Sequence, residues 1–581
     1  MKRRIKSHIK LKLKLIFRIM FAIRQYVAKY INYHTALIAI LAIAFLLHIP
    51  GLFYSFPLKN TVGDEVTTMG AIFKMMDDQS LRPDYQSFYH LPVTAYAQLP
   101  FYAALVLFLK FSGLFADFTE LKKFVILDYG YFLPFARLIT ALFATAAGYL
   151  MYKLANRIFV NKKVAVLASF LLSFNLMFFQ VTHFARAWAL QILLLLTAVY
   201  VYYVFFTKDK PRAKDYFLIS LVTALALGVH LASALVYLIF LTLYFNKHHW
   251  RDFVSLRPGW WSRYRHFVYL QLYIIGWLGL WYYLNPTGFL IYLQQPGIES
   301  VSRDWTLWSN IAFYGKIFFN YDAWLAVAAI PALILFYKRY PALCFGFVAF
   351  ILAWVISIAY SIHSEPRFII ATIPFLILPV SYFLVWLADR LAKSWQRLLW
   401  YLVIIVIVMY LPLLWTKDIL KPNTLLLARR WILDNVPSDA VILSGNPYLD
   451  LPENQAAALY LRALSPKKDT VERRFIIAAD PLDLPKPRYF VVTAQGLGGI
   501  ADSFKDILPD LQYAVISFWN NEERAVVRRN ASALNMNLLQ AYYPLSAPAD
   551  AADIANNMLH PYADLRQVEK TGPFVEIYKV N

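Results

Sequence analysis

The chain has 581 residues, 60% of them hydrophobic, and a formal net charge of +22; its mean hydropathy is +0.49. Repeated apolar stretches of about 20 residues on that background exclude an ordinary soluble protein and predict a polytopic membrane protein. The basic residues fall between the apolar stretches, as positive-inside topology requires, so the charge does not point to nucleic acid, and the single cysteine, Cys344, excludes an internal disulfide.

Residues 1–33 carry ten Lys/Arg and no Asp or Glu. This basic segment is expected in the cytoplasm, over 9–30 either as an amphipathic helix on an anionic leaflet or as a plain topogenic charge cluster. It does not read as a cleaved signal peptide, because the apolar run that follows is long and no small-residue cleavage site precedes it. Apolar runs then predict about eleven crossings, at 34–54, 132–152, 164–183, 187–207, 215–229, 230–246, 266–285, 322–338, 342–360, 367–387 and 399–416.

The basic connections 153–163, 208–214, 247–265, 338–339 and 390–397 should all lie on the inner side with the N-terminus. That parity makes 93–113 a re-entrant or interfacial helix within one long external segment, 55–131. The apolar stretch 215–246 is short for two spans and long for one. It is expected to break at Gly228-Val229-His230 beside a covered cavity, because irregular backbone at membrane depth must be shielded from lipid. Residues 417–581 are of ordinary polarity and predict an external α/β domain. Strands are expected at 440–444, 474–479, 489–494, 513–519 and 575–580, and helices at 424–435, 453–463 and 553–559.

The chemistry-bearing residues gather in the external segments. Asp64 and Glu65 follow the first span and precede an amphipathic helix over 66–76. A carboxylate in a partly dry site beside the membrane can act as a general base. Neighbours on a helix point about 100° apart, so one of the two is expected to face a reacting group. The alternative is that both cap the helix N-terminus. His90, in Phe88-Tyr89-His90-Leu91-Pro92, is a candidate donor to an anionic ligand or a plain helix-entry residue.

Thr182-His183-Phe184-Ala185-Arg186 is a short external turn. Its arginine binds phosphate, pairs with the Asp64 region, or snorkels to the interface. In His363-Ser364-Glu365-Pro366-Arg367-Phe368, Arg367 opens an outward-facing helix N-terminus, a good phosphate site; a local Glu365–Arg367 salt bridge is the alternative. His90, His183 and His363 with Asp64 and Glu65 could hold a divalent metal ion, but their spacing specifies none. The loop 285–322 is long enough for a lid or binding loop. No nucleotide-binding loop, zinc helix or Cys-x-x-Cys pair occurs.

Taken in order, these motifs resemble the GT-C superfamily of membrane glycosyltransferases, in its protein O-mannosyltransferase, aminoarabinose-transferase and dolichyl-phosphate-mannose-dependent branch. The resemblance rests on Asp64-Glu65, His90-Leu91-Pro92, Phe135-Ala136-Arg137-Leu138, Ala185-Arg186 and Glu365-Pro366-Arg367-Phe368 with Pro374. It extends to Ala428-Arg429-Arg430-Trp431-Ile432, Asn435-Val436-Pro437 and the ending 572–578. Two departures stand out. Leu91 replaces the first proline of a His-Pro-Pro element, and no Asp follows Arg186 in Arg186-Ala187-Trp188-Ala189-Leu190, which weakens any metal site carried over.

The resemblance implies a polyprenyl-phosphate-linked sugar as donor and an inverting transfer to a protein, lipid or envelope-glycan hydroxyl. Asp64 would be the general base and Glu65 its support. Arg367 and Arg186, with His90, His183 and Glu365 around them, would hold the donor phosphate. The expected setting is the outer face of the cell membrane, with the N-terminus cytoplasmic and the C-terminal domain external. A transporter or flippase for a lipid-linked sugar is the rival; it would need ionisable residues deep in several spans or repeated broken-helix halves, and neither is visible.

Overall fold

In the computed structural model the described residues are 32–581 except 60, 63, 84–91, 249, 256–258, 287–289, 291–305, 361–364, 465–469, 495–509, 520, 531–534, 546–558, 563 and 567. His90, His363, the expected helix over 553–558 and most of the 285–306 connection therefore lie outside them.

Nine helices among the described residues are long and apolar enough to cross a membrane: Tyr33–Leu52, Val93–Phe111, Tyr129–Phe159, Trp188–Phe206, Trp260–Leu284, Leu307–Arg339, Pro341–Ala359, Pro366–Arg390 and Ser394–Ile419. The chain is a multi-pass membrane protein with a small C-terminal sheet domain. Helix crossings use small residues, as lipid-embedded packing favours. A Cβ on Gly148 would sit 2.6 Å from the Ser173 hydroxyl and 3.0 Å from Leu41, and the Ser169 hydroxyl donates to the Gly148 carbonyl at 2.8 Å.

Two predicted spans are broken, one against expectation and one as expected. The 164–183 run is not one helix but two, Lys162–Ser173 and Leu176–Val181. Asn175 ends the first and caps the second, accepting from the Phe178 amide at 3.0 Å. Asp322, at a kink with φ −136°, accepts from the Leu176 amide at 3.1 Å and fixes the break from another helix. The second break is the one expected. The Ala213–Leu227 helix stops, and a 3₁₀ turn, Leu231–Val236, leads into Tyr237–Lys247. The break is covered: the Val93 amide donates to the Gly228 carbonyl at 3.0 Å, and Trp281 Nε1 adds a second donor to the Ala224 carbonyl at 3.0 Å.

Beyond the Ser394–Ile419 helix, five strands form a mixed sheet: β1 (Val441–Ser444), β2 (Phe490–Thr493), β3 (Tyr513–Phe518), β4 (Met536–Tyr542) and β5 (Phe574–Val580), in the order β2-β1-β3-β5-β4. β1 runs parallel to β2 and β3; β5 is antiparallel to β3 and β4. The period-two alternation sends Ile442, Val491, Val515, Val575 and Ile577 to one face, against the Thr424–Asn435 helix, and Leu443, Val492, Ala514, Ile516 and Phe518 to the other. The expected strand at 474–479 is instead part of a helix, Val471–Ala478. Thr470 caps it, Glu472 sits in its first turn, and it buries Ile476 against Ala458, Leu484 and Leu127.

Apolar side chains fasten the sheet domain to the membrane domain in both directions. Leu58, from the segment after the first helix, is buried in the sheet core beside Leu425, Ala428 and Leu449. In the other direction, Leu559 and Leu565 join the membrane-domain core. There the Gln180 side-chain amide exchanges two hydrogen bonds with the His560 backbone, at 2.9 and 3.0 Å.

Candidate active site

The site grows from the start of the Glu65–Asp77 helix. Asp64, its first flanking residue, has φ +69°, a left-handed conformation that Asp tolerates better than most residues. The bend separates the two neighbours completely. The Glu65 side chain is fully buried, whereas that of Asp64 is 31% exposed.

Glu65 is locked. Its Oε1 accepts from Arg137 Nε at 2.8 Å and from the Ala185 amide at 2.9 Å, and its Oε2 accepts from Arg137 Nη2 at 2.7 Å. The other arm of Arg137 donates to the carbonyls of Tyr54 at 2.6 Å and Leu52 at 3.2 Å. This bidentate ion pair ties the end of the first helix, the Asp64 bend and the 182–187 turn into one unit. The same turn serves both acids: Ala185 binds Glu65, and the next residue, Arg186, pairs with Asp64. Arg186 is almost fully buried while its partner faces outward.

The second arginine sits on a tighter turn than expected. Arg367 lies in a 3₁₀ helix, Pro366–Thr372, rather than at the first turn of an α-helix. Its Nη2 is 2.5 Å from Glu365 Oε2, both side chains are nearly buried, and its guanidinium lies 5.5 Å from the Phe368 ring centre. Aromatic rings wall this side: Trp188 lies 6.0 Å from Phe368 and 5.8 Å from His230, and Trp354 lies 5.9 Å from His230. Trp354 Nε1 also donates to the Phe368 carbonyl at 2.7 Å. His230 thus stands among the aromatics next to the helix break.

The sheet domain adds a residue that sequence reasoning missed. Tyr448 sits in the turn Pro447–Leu449 after β1, its amide bound to the Asn446 side chain at 2.7 Å. Its phenol is pushed above the ordinary tyrosine range, first by burial and then by the charge of Asp64, with Glu365 adding to the rise and Arg186 and Arg367 opposing it. Tyr448 therefore lies within electrostatic reach of all four charged residues. The one available signal was an Asn-Pro turn at the carboxyl end of a strand, where open α/β sheets place ligands.

His183 does not join the site. It is buried, its Nδ1 and Nε2 lie 2.6 and 3.1 Å from the carbonyls of Phe179 and Leu47, and it stacks on His48 at 4.0 Å. Both ring nitrogens are thus engaged by backbone carbonyls, one from its own turn and one from the first helix, and not by the Asp64–Arg186 pair. Among the described residues no group of three or more His, Cys, Asp or Glu that could hold a metal ion is assembled.

No protein-family model matches the chain, and no curated protein is similar to it. Solved structures that are similar include ArnT from Cupriavidus metallidurans bound to undecaprenyl phosphate, with 13% identity over 93% of this chain and 97% of that one and a TM-score of 0.46. Another is the oligosaccharyltransferase AglB from Archaeoglobus fulgidus in complex with an inhibitory peptide and a dolichol-phosphate, with 12% identity over 94% of this chain and 78% of that one and a TM-score of 0.41. A third is the arabinofuranosyltransferase AftD from Mycobacteria, with 15% identity over 93% of this chain and 40% of that one and a TM-score of 0.42.

Proposed function

We propose that the chain is a membrane glycosyltransferase that moves a sugar from a polyprenyl-phosphate donor to an acceptor hydroxyl at the outer face of the cell membrane. The observation that carries this reading is the pairing of one outward-facing carboxylate, Asp64, with Arg186, in a cluster that includes Arg367 and is walled on one side by aromatic rings. A phosphate-linked sugar needs all three features: a base for the acceptor, cations for the leaving phosphate, and an apolar wall for the lipid and sugar.

Asp64 takes the proton of the acceptor hydroxyl. The acceptor oxygen bonds to the anomeric carbon from the face opposite the phosphate. The bond from that carbon to the phosphate oxygen breaks, so configuration inverts. The lipid phosphate leaves with the electron pair, and Arg367 and Arg186 meet its charge. Arg186 moves from Asp64 to the donor phosphate when the donor binds, which frees the base for the acceptor. Glu365 orients Arg367, and Glu65, held by Arg137, keeps the bend in place. Charge bias puts the basic loops inside and the sheet domain outside in this reading. Acceptors in scope are a protein, a lipid or an envelope glycan.

Membranes carrying wild type or Asp64→Asn, supplied with a panel of radiolabelled polyprenyl-phosphate sugars, test the reading. We expect transfer from one donor by wild type and a loss of 10²-fold or more, by order of magnitude, in a variant present at normal level. Equal transfer by both proteins removes Asp64 from the chemistry. Silence of both with every donor favours lipid-linked sugar transport.

A further inference from the structure

The first external segment is held by the sheet domain at a point five residues before Asp64. The Lys59 amide donates to Asp450 Oδ2 at 3.1 Å, its Nζ lies 3.8 Å from Asp450 Oδ1, and the same Nζ pairs with Glu472. Lys59 and Asp450 are nearly buried, and Glu472 is mostly so. Burial works against the Lys59 ammonium, but the charges of Glu472 and Asp450 outweigh it and hold its pKa above the ordinary lysine range. On the membrane side Gly130 lets the segment approach closely: a Cβ there would sit 2.5 Å from the Pro57 carbonyl and 3.1 Å from that of Leu58.

Leu58 fills the sheet core and the Asn423 side chain donates to the Tyr54 hydroxyl at 3.0 Å, so 54–59 is gripped at three residues. The Tyr54 carbonyl in turn accepts from Arg137, the partner of Glu65. Asp450 also follows Tyr448 by two residues, so the anchor of Lys59 and the phenol beside Asp64 belong to one turn.

We propose that Lys59 is a positioning residue of the Asp64 site, through which Asp450 and Glu472 of the sheet domain hold the catalytic bend in its outward-facing geometry. The sheet domain is then part of the active site's framework and not only a platform for the acceptor. This rests on the glycosyl-transfer reading above. Loss of the anchor lets the bend drift by a fraction of a residue, which costs turnover more than donor binding, because Arg367 lies outside the anchored segment.

The experiment compares Lys59→Met, Lys59→Arg and the charge-neutralised triple variant K59M/D450N/E472Q in the full chain, the last removing the risk that two buried carboxylates without their cation unfold the domain. Two readouts are taken: amide hydrogen exchange of residues 54–67 and donor-dependent transfer per folded molecule. We expect exchange to rise about tenfold or more in K59M and the triple variant. Turnover should fall by about tenfold to a hundredfold with the donor KM within about twofold, and Lys59→Arg should recover most of the rate. Unchanged exchange in K59M and the triple variant overturns the proposal whatever the activity. Raised exchange with normal turnover per folded molecule also overturns it. Wild-type membranes silent towards every donor remove the transfer reading instead, and the positioning claim then stands or falls on exchange alone.

Discussion

Glu65→Gln separates the two neighbouring acids more sharply than any substitution of Asp64. The amide keeps the shape of the side chain and can still accept from the Ala185 N–H, but it removes the negative charge facing Arg137. That guanidinium is 1% exposed; it would keep the carbonyls of Tyr54 and Leu52 and the bond from Nε to the amide oxygen, but its Nη2 would face an NH2 donor in place of a carboxylate oxygen. Removing one member of a buried pair costs about 3–5 kcal/mol, because the remaining charge is left uncompensated out of water. The cost is large beside an ordinary net stability of about 5–15 kcal/mol. The assay is thermal and denaturant unfolding of purified protein, with sugar transfer scaled to the folded fraction. We expect a lowered unfolding midpoint and near-normal turnover per folded molecule. Pairing the change with Arg137→Gln should restore part of the loss, so the two single effects should sum to more than the double one. A Glu65→Gln protein of wild-type stability with abolished turnover would refute the reasoning and make Glu65 a reacting group.

Two further outcomes follow from the fold. Burial pushes the His560 imidazole down to about 4 from the ordinary 6.5, so the unfolded chain binds the proton first and stability is lost as pH falls from about 6.5 towards 4. At pH 5 the loss from this group is about 2 kcal/mol relative to pH 7.5. It should register as faster exchange of amides near Gln180 and 559–566 after correction for intrinsic rates; His560→Asn with an unchanged pH slope would count against it. Gly228→Ala should displace the start of the Val93–Phe111 helix, since a Cβ there runs into Val93 and lies 3.0 Å from the Trp281 indole. A loss of about 1–3 kcal/mol is expected in thermal unfolding, and a wild-type midpoint would contradict the docking.

The membrane helices were readable because lipid demands long apolar runs, and the break at 228–230 because a stretch of that length allows no other course. β1, β2, β3 and β5 were readable as short β-rich runs between turns. What escaped shows where local pattern ends. The break at Asn175 is held by Asp322, which accepts from the Leu176 amide 146 residues away, and no window contains both. β4, Met536–Tyr542, is an edge strand with no fully buried residue, so it carries no clean alternation. Phe475 and the isoleucines after it looked like a strand because a hydrophobic run as short as 475–479 does not distinguish the two periods; the cap at Thr470 decided the matter. At the site, the order of Asp64, Arg186 and Arg367 along the chain was legible. That Glu65 belongs to Arg137 and that His183 turns inward was not, since both depend on which face a neighbour presents. Tyr448 and Lys59 meet the site only through tertiary packing.

The grip of the sheet domain on Lys59 also sets an order of events in biosynthesis. Lys59 is made 391 residues before Asp450. At about 5–20 residues per second, about 20–80 s separate the two. During that interval Leu58 has no core to enter, Lys59 lacks Asp450 and Glu472, and the bend at Asp64 is not yet braced by the sheet domain. The last folding step of the chain is therefore what completes its first loop. Until the final strand, Phe574–Val580, joins the sheet, a nascent chain already threaded through the bilayer has no assembled site with which to react.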